Sequence, residues 1–347
     1  MKKFTALLLC LALLLPLPSC GREKNRYSAQ FLVLFDTMSE LVAYMDSKEE
    51  FEKFSTFIYD HLKEYHELYD IYDDFPGVNN IKTINDNAGK QPVKVDPRII
   101  DLLKLCKEQE TATHGAFNIA LGSVLRIWHQ YREAGLSDPE SAKLPPMEEL
   151  QEAMKHTDID NVVIDEEAST VYLADPEMSL DVGSVAKGYA TEQVARLAEE
   201  AGYSSALLSI GGNVRAIGGK GVGEQAWNVG IRNPDTQSDQ TSLMTVLLTE
   251  ESLVTSGIYE RYYVVDGKQY HHIIDPTTLM PSTNYQSVSV ITRDSGLADI
   301  LSTALFNMSY EESLSYVNSL PDAEALWVMP DGELRYSAGF QAYIKTS

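Results

Sequence analysis

Apolar positions recur every three to four residues over Lys48–Tyr69, where Phe51, Phe54, Ile58, Leu62 and Tyr65 fall on one face; this spacing predicts a long amphipathic helix. Ahead of it, residues 30–36 and 41–44 read as an opening strand pair. Pro97 suits the first turn of a second helix running to about residue 113, and residues 147–156 carry a third, shorter one. Residues 162–174 alternate on either side of Glu166 and Glu167 as a hairpin does. Residues 185–201 are helical, with Gly202 fitting the end. The remainder is strand-rich, with expected strands at 206–209, 227–231, 243–248, 262–265, 286–292, 325–328 and 336–344 and one helix over 297–308. Asp266-Gly267 is a hairpin turn signal. Helices and strands mix without a regular βαβ rhythm, which predicts an α+β architecture. The length allows one large domain or two lobes.

The start of the chain has a different pattern. Lys2 and Lys3 precede an almost wholly apolar run over residues 4–17, shorter than the roughly 20 residues that a bilayer span takes. A positive start, a short apolar core and small residues at its end mark a cleavable export signal, residues 1–19, which takes no part in the fold. Its end, Leu17-Pro18-Ser19-Cys20, resembles the lipobox of bacterial lipoproteins. That resemblance implies a lipid on Cys20 and a place in the bacterial cell envelope, anchored to a membrane and facing away from the cytoplasm. Residues 20–29 are expected to form a flexible tether, and 30–347 the folded domain. With Cys10 in the signal and Cys20 blocked, only Cys106 remains, so the mature chain holds no internal disulfide. Cys106 falls on an apolar helix face and reads as a packed core thiol.

Charge narrows the range of functions. The 28 Lys and Arg against 51 Asp and Glu give a net charge of −23. Such a surface argues against nucleic acid and disfavours direct adhesion to anionic lipid. An anionic ligand would need a local device, such as a metal ion or a ring of backbone N–H groups.

Four clusters carry candidate chemistry. Asp181-Val182-Gly183-Ser184-Val185-Ala186-Lys187-Gly188-Tyr189 lies at a strand-to-helix junction, where small residues admit a ligand and a new helix offers unpaired N–H groups. Ser209-Ile210-Gly211-Gly212-Asn213 follows a strand, and its paired glycines suit a backbone that must make room. Gly219, Gly221 and Gly223 nearby are too loosely spaced for a dinucleotide fingerprint. In His271-His272-Ile273-Ile274-Asp275-Pro276, a histidine near a carboxylate can act as a general base. One of the two histidines should face inward and the other outward. Asp299 and Thr303, in Ala298-Asp299-Ile300-Leu301-Ser302-Thr303-Ala304, are four apart on a helix start, so their oxygens share a face and suit a hard cation such as Mg²⁺.

Together with Thr255-Ser256-Gly257-Ile258-Tyr259-Glu260-Arg261, these motifs stand in the order of the ApbE-type FAD:protein FMN transferases, which the chain resembles from about Phe35 to its last strand. The resemblance implies a T-fold-like mixed sheet with helices. It implies an enzyme that splits FAD, attaches FMN to a Ser or Thr hydroxyl of an exported or membrane-bound acceptor flavoprotein, and releases AMP. It further implies Mg²⁺ held by Asp299, Thr303 and Ser184, the last through its backbone carbonyl. FAD contacts would come from Met38, Tyr72, Ala116, Phe117, Asn118, Asp181, Lys187 and Ile274. His272 matches the catalytic base, with Asp275 the alternative base or the group that orients it.

The chain departs from the family pattern at four places. Met38-Ser39-Glu40 stands for Met-Gly-Thr, Asn118 for Asp, Thr278-Leu279-Met280 for Thr-Gly-Arg or Thr-Gly-Lys, and Ile258 for an acidic or polar residue. The same site would also serve a Mg²⁺-dependent FAD pyrophosphatase, with water in the acceptor's place. A flavin-binding lipoprotein without turnover is a third reading, against which the intact Asp299–Thr303 pair argues.

Overall fold

The computed structural model describes residues 24–32, 34–221 and 225–346. The expected export signal, Cys20 and Gly223 lie outside the described residues. Among the described residues, eight helices run as α1 Lys48–Tyr69, α2 Ile81–Asp86, α3 Pro97–Ala112, α4 Gly122–Ser137, α5 Met147–Met154, α6 Ala186–Glu200, α7 Ser295–Asn307 and α8 Tyr310–Ser319. The first seven strands are β1 Asn25–Phe31, β2 Ser39–Met45, β3 Val93–Lys94, β4 Val162–Asp165, β5 Thr170–Leu173, β6 Ala206–Ile210 and β7 Asn213–Ile217. The other eight are β8 Trp227–Arg232, β9 Ser242–Leu248, β10 Ser252–Gly257, β11 Tyr262–Val265, β12 Lys268–His271, β13 Ser287–Thr292, β14 Glu324–Val328 and β15 Leu334–Tyr336.

Eight strands form the main sheet, in the order β1-β2-β6-β7-β10-β13-β14-β15, and every neighbouring pair is antiparallel. The α+β expectation therefore holds. Alternation along each strand divides the two faces. Leu41, Ala43 and Met45 of β2 meet the helical side, whereas Val42 points to the other. Val288 and Val290 of β13, with Ala325 and Trp327 of β14, pack under α7 and α8. Leu253, Ile291 and Leu326 meet Trp227, Val229 and Val246 of the β8–β9 ribbon on the opposite face. Helices thus cover one face and a two-stranded ribbon lies on the other. No helix among the described residues is long and apolar enough to cross a membrane.

Several expectations shift. The first strand occupies Asn25–Phe31 rather than 30–36, and residues 34–36 form a 3-10 turn. The tether expected over 20–29 is therefore strand from Asn25 onward, laddered from Asn25↔Met45 to Phe31↔Ser39. Side chains fix it there, since Tyr27 stacks on Phe51 and Phe31 meets Tyr59 at a tilt, with ring centroids 5.4 and 5.5 Å apart. The expected strand at 336–344 is only β15 followed by a 3-10 turn over Phe340–Tyr343.

Helix α4 has no counterpart in the periodicity reading. Glycines at both ends weaken its helical signal, yet both are required for contact. A Cβ on Gly122 would lie 2.2 Å from the Ser179 carbonyl oxygen, and one on Gly135 2.7 Å from the Tyr263 ring. Helix α8 was also unforeseen, although the Ser309–Glu312 capping box that starts it is visible in the sequence.

Two elements that carry the site are held by a buried ion pair. Glu192 on α6 accepts 3.0 Å hydrogen bonds from Arg215 Nε on β7 and from the Ser295 N–H that opens α7. Both side chains are buried, at 4% and 7% exposure. This carboxylate sets α6 and α7 relative to each other and to the sheet.

Candidate active site

A cleft of about 490 Å³ opens where the starts of α6 and α7, the β6–β7 turn, the end of β10 and the β11–β12 hairpin converge. All five sequence motifs contribute to its wall. Tyr72, Ala116, Phe117, Asn118, Asp181, Ser184, Lys187, His272, Ile274, Asp299 and Thr303 line it. Met38 and Asp275 are not among the lining residues; Met38 is 58% exposed.

Asp299 is the most deeply placed carboxylate of the site, at 5% exposure. Its Oδ2 accepts a 2.8 Å hydrogen bond from the Gly188 N–H. In a regular first turn that N–H would bond the carbonyl four residues back, that of Ser184. Burial pushes the Asp299 pKa up, while Lys187, the Gly188 N–H and the adjacent Asn213 amide pull it down. The Asn213 amide lies beside the carboxylate without meeting hydrogen-bond geometry, so its buried Nδ2 has no partner. Thr303 and then Asn307 follow Asp299 at four-residue steps on the cleft-facing side of α7.

The two adjacent histidines have separate functions. His271 is buried; its Nε2–H donates to the Ser282 carbonyl at 2.8 Å and its Nδ1 accepts from the Ile273 N–H at 3.2 Å. It is a structural residue with both nitrogens occupied. His272 opens onto the cleft. Its backbone N–H and its Nδ1 both reach the carbonyl of Arg261, at 3.0 and 3.2 Å. A carbonyl only accepts, so Nδ1 carries the proton and Nε2 presents a lone pair. The enclosing protein, then the charge of Arg261, push the His272 pKa down to about 3. The residue is exposed and lines the cleft.

Asp275, expected as alternative base or orienting group, is engaged in its own turn. It accepts from the Thr277 N–H at 2.8 Å and from Thr278 Oγ1 at 3.0 Å. The Arg261 carbonyl holds His272 instead. Asn118 is similarly occupied, with Nδ2 donating to the Thr157 carbonyl and Oδ1 accepting from the Ala120 N–H. Asp181 closes an Asx turn on the Gly183 N–H at 2.8 Å, and burial pushes its carboxyl pKa up.

Some lining residues carried no signal in the motifs. Arg132 and His129 come from α4, and Arg132 Nη2 lies 2.8 Å from His129 Nδ1. Tyr72 stacks obliquely on the His129 ring, with centroids 5.5 Å apart. The three-to-four spacing of Leu121, Leu125, Trp128 and Arg132, all of which line the cleft, would have revealed this helix. Asn307 was equally legible as the next step after Asp299 and Thr303.

A buried carboxylate, an adjacent hydroxyl, cations without carboxylate partners and a neutral histidine facing one cleft define a site for group transfer from an anionic substrate. Comparison with known proteins agrees. The sequence profile of the ApbE family matches residues 35–327, and the chain belongs to that family. It is 36% identical over 273 residues to the FAD:protein FMN transferase of Treponema pallidum (strain Nichols), a match covering 75% of this chain and 73% of that protein. Against a FAD:protein FMN transferase of Klebsiella pneumoniae (strain 342) the identity is 31% over 272 residues, covering 77% and 81%. The crystal structure of the ApbE protein from Thermotoga maritima superposes with a TM-score of 0.80 at 30% identity, covering 93% of this chain and all of that one. The flavin transferase ApbE from Vibrio cholerae gives 0.75 at 23% identity, covering 92% and 99%, a likeness of fold.

Proposed function

We propose that this protein is a FAD:protein FMN transferase, moving FMN from FAD to a Ser or Thr hydroxyl of an acceptor flavoprotein and releasing AMP. The observation that carries this reading is the placement of Asp299, Thr303, Lys187 and the free Nε2 of His272 around one cleft. Membership of a family whose curated relatives bear that name supports it.

The site suits Mg²⁺. No group of three or more His, Cys, Asp or Glu among the described residues forms a metal cluster. A hard cation of this kind, however, takes oxygen from one or two carboxylates and completes its shell with water and substrate phosphate. Asp299 is a buried carboxylate whose burial opposes its charge, and a bound cation would relieve that cost. Thr303 Oγ and the Ser184 carbonyl, which the Gly188 N–H leaves for Asp299, would complete the donor set. Bound there, the metal would neutralise the diphosphate and stabilise charge on the leaving phosphate.

The protein's own residues account for the remaining chemistry. His272 Nε2 takes the proton of the acceptor hydroxyl. That oxygen bonds to the FMN phosphorus, and the bond from this phosphorus to the AMP oxygen breaks. A base so placed typically contributes about 10²–10⁴-fold. Lys187 and Arg261 offer positive charge to the diphosphate, and Tyr72 offers a ring face. Placing acceptor and phosphorus in line contributes further.

The export signal and the lipobox-like end at Cys20 support a lipid anchor, with the acceptor an exported or membrane-bound flavoprotein. The test is to incubate the full chain with FAD, Mg²⁺ and a candidate acceptor domain, denature, and read covalent flavin fluorescence and acceptor mass. Transfer predicts a labelled acceptor and free AMP. FMN and AMP without labelling would establish the pyrophosphatase instead. Asp299→Ala should abolish labelling, and a fully active variant would overturn the metal assignment. Intact mass of the chain purified from membranes reads the anchor.

A further inference from the structure

Arg261 has two functional ends. Its carbonyl accepts from both the backbone N–H and Nδ1 of His272, while its side chain lines the cleft. No carboxylate among the described residues lies within 4.0 Å of its guanidinium. The neighbouring Glu260 is paired with Arg232 at 3.1 Å instead. Arg132, across from it on α4, also lacks such a partner and bonds only a histidine. In a chain of charge −23, two unneutralised guanidinium groups facing one cleft mark a place for an anion.

We propose that Arg261 is a positioning residue that couples the substrate to the base: its guanidinium, with Arg132, takes phosphoryl oxygens of the FAD diphosphate while its carbonyl keeps His272 in the Nδ1–H tautomer. This rests on the transferase reading and adds a mechanism of control. Arg261 and Lys187 both face His272 with positive charge, while the His271 ring beside it is neutral, with both nitrogens occupied. The carboxylates that line the same cleft are Asp36, Asp70, Asp181, Glu260 and Asp299. A histidine so surrounded is a weak base, because protonating it adds like charge. Once a diphosphate neutralises Arg261, that opposition falls and Nε2 accepts a proton more readily. The acceptor hydroxyl is then activated only when the dinucleotide is present, which protects a bare cleft from idle proton chemistry.

Arg132 supports the same assignment. Burial and then the charge of Arg261 lower its pKa, an opposition that an anion between the two guanidinium groups would relieve. Two arginines also suit a phosphate better than two lysines, since each presents a planar fork of donors.

The experiment follows His272 by ¹⁵N NMR in the full chain, with EDTA present to prevent turnover. Flavin fluorescence reads FAD binding independently. Adding FAD should raise the apparent His272 pKa by about one unit or more. In Arg261→Gln, the free chain should already show a raised value, and the FAD-induced rise should shrink by more than half. Arg261→Lys, which keeps the charge and the carbonyl, should retain most of the rise. Bound FAD with an unchanged His272 in the wild-type chain, a result that needs no variant, would overturn the coupling and leave the transferase reading standing. Equal rises in wild type and Arg261→Gln would overturn it too. Failure of FAD to bind at all would remove both.

Discussion

The N–H of Gly188 and the carboxylate of Asp299 meet at 2.8 Å because residue 188 has no side chain. A Cβ there would lie 2.4 Å from the Ser295 carbonyl oxygen and 2.5 Å from Asp299 Cβ. The close approach of α6 to α7 and the aim of the candidate metal ligand are therefore one feature. Gly188→Ala gains about 1 kcal/mol of helix propensity and loses about 1–3 kcal/mol to overpacking. Stability should fall by about 0–2 kcal/mol, while a shift of α7 by about 1 Å should lower transfer by about 10²-fold. Steady-state labelling rates beside a thermal melt check this. A full-rate variant would mean that the contact does not set the carboxylate.

His272 predicts a pH effect with a definite sign. Its pKa in the folded chain lies near 3, below the value of about 6.5 expected when unfolded. Between these values the unfolded chain binds more protons, so stability rises with pH. The contribution is whole above about 6.5 and is lost as pH falls towards the folded value. Exposure to the cleft screens its size. His272→Asn should flatten the acid side of a stability–pH curve and lower transfer by about 10²–10⁴-fold with FAD still bound. Urea midpoints from pH 4 to 8 and a binding titration measure the two effects.

Glu192 ties three elements together, and replacing it should act far beyond its own position. Glu192→Ala removes the partner of buried Arg215 and of the Ser295 N–H. Arg215 keeps Glu199 at 3.2 Å, which places the expected loss near the low end of the usual range, about 3 kcal/mol. Denaturant unfolding gives the value. A loss below about 0.5 kcal/mol would show that the pair behaves like a surface one.

Leu279 has a backbone φ of +61°, a conformation that favours glycine. Relief of that strain in Leu279→Gly is worth about 1–2 kcal/mol. The side chain is only 5% exposed and packs with Trp128 and Ile274, and its loss costs about 2–5 kcal/mol. Burial outweighs strain, so the glycine variant should be less stable by about 1–3 kcal/mol in a thermal or urea melt. A more stable variant would show that the strain dominates.

Where apolar periodicity was strong, the sequence was a good guide. Helix α1 matches the expected Lys48–Tyr69 because its buried positions all lie on one stripe. The site was legible through short motifs, each of which reaches the cleft although Asp181 and Asp299 lie 118 residues apart. Central strand β7 was hidden because its buried sequence includes Asn213 and Arg215, polar letters that only a partner across the fold makes tolerable. The roles within the histidine pair were hidden for a similar reason. Which ring faces the cleft depends on the Ser282 and Arg261 carbonyls, and neither is adjacent in sequence.

Strand β1 begins at Asn25, only five residues beyond Cys20. If that cysteine bears lipid, the leash between anchor and sheet spans at most about 18 Å even when fully drawn out. An enzyme moored so tightly would patrol a thin layer of solvent next to the bilayer. Its clients would have to bring their hydroxyl down to that layer, so proximity to the membrane would act as a filter on which proteins receive flavin.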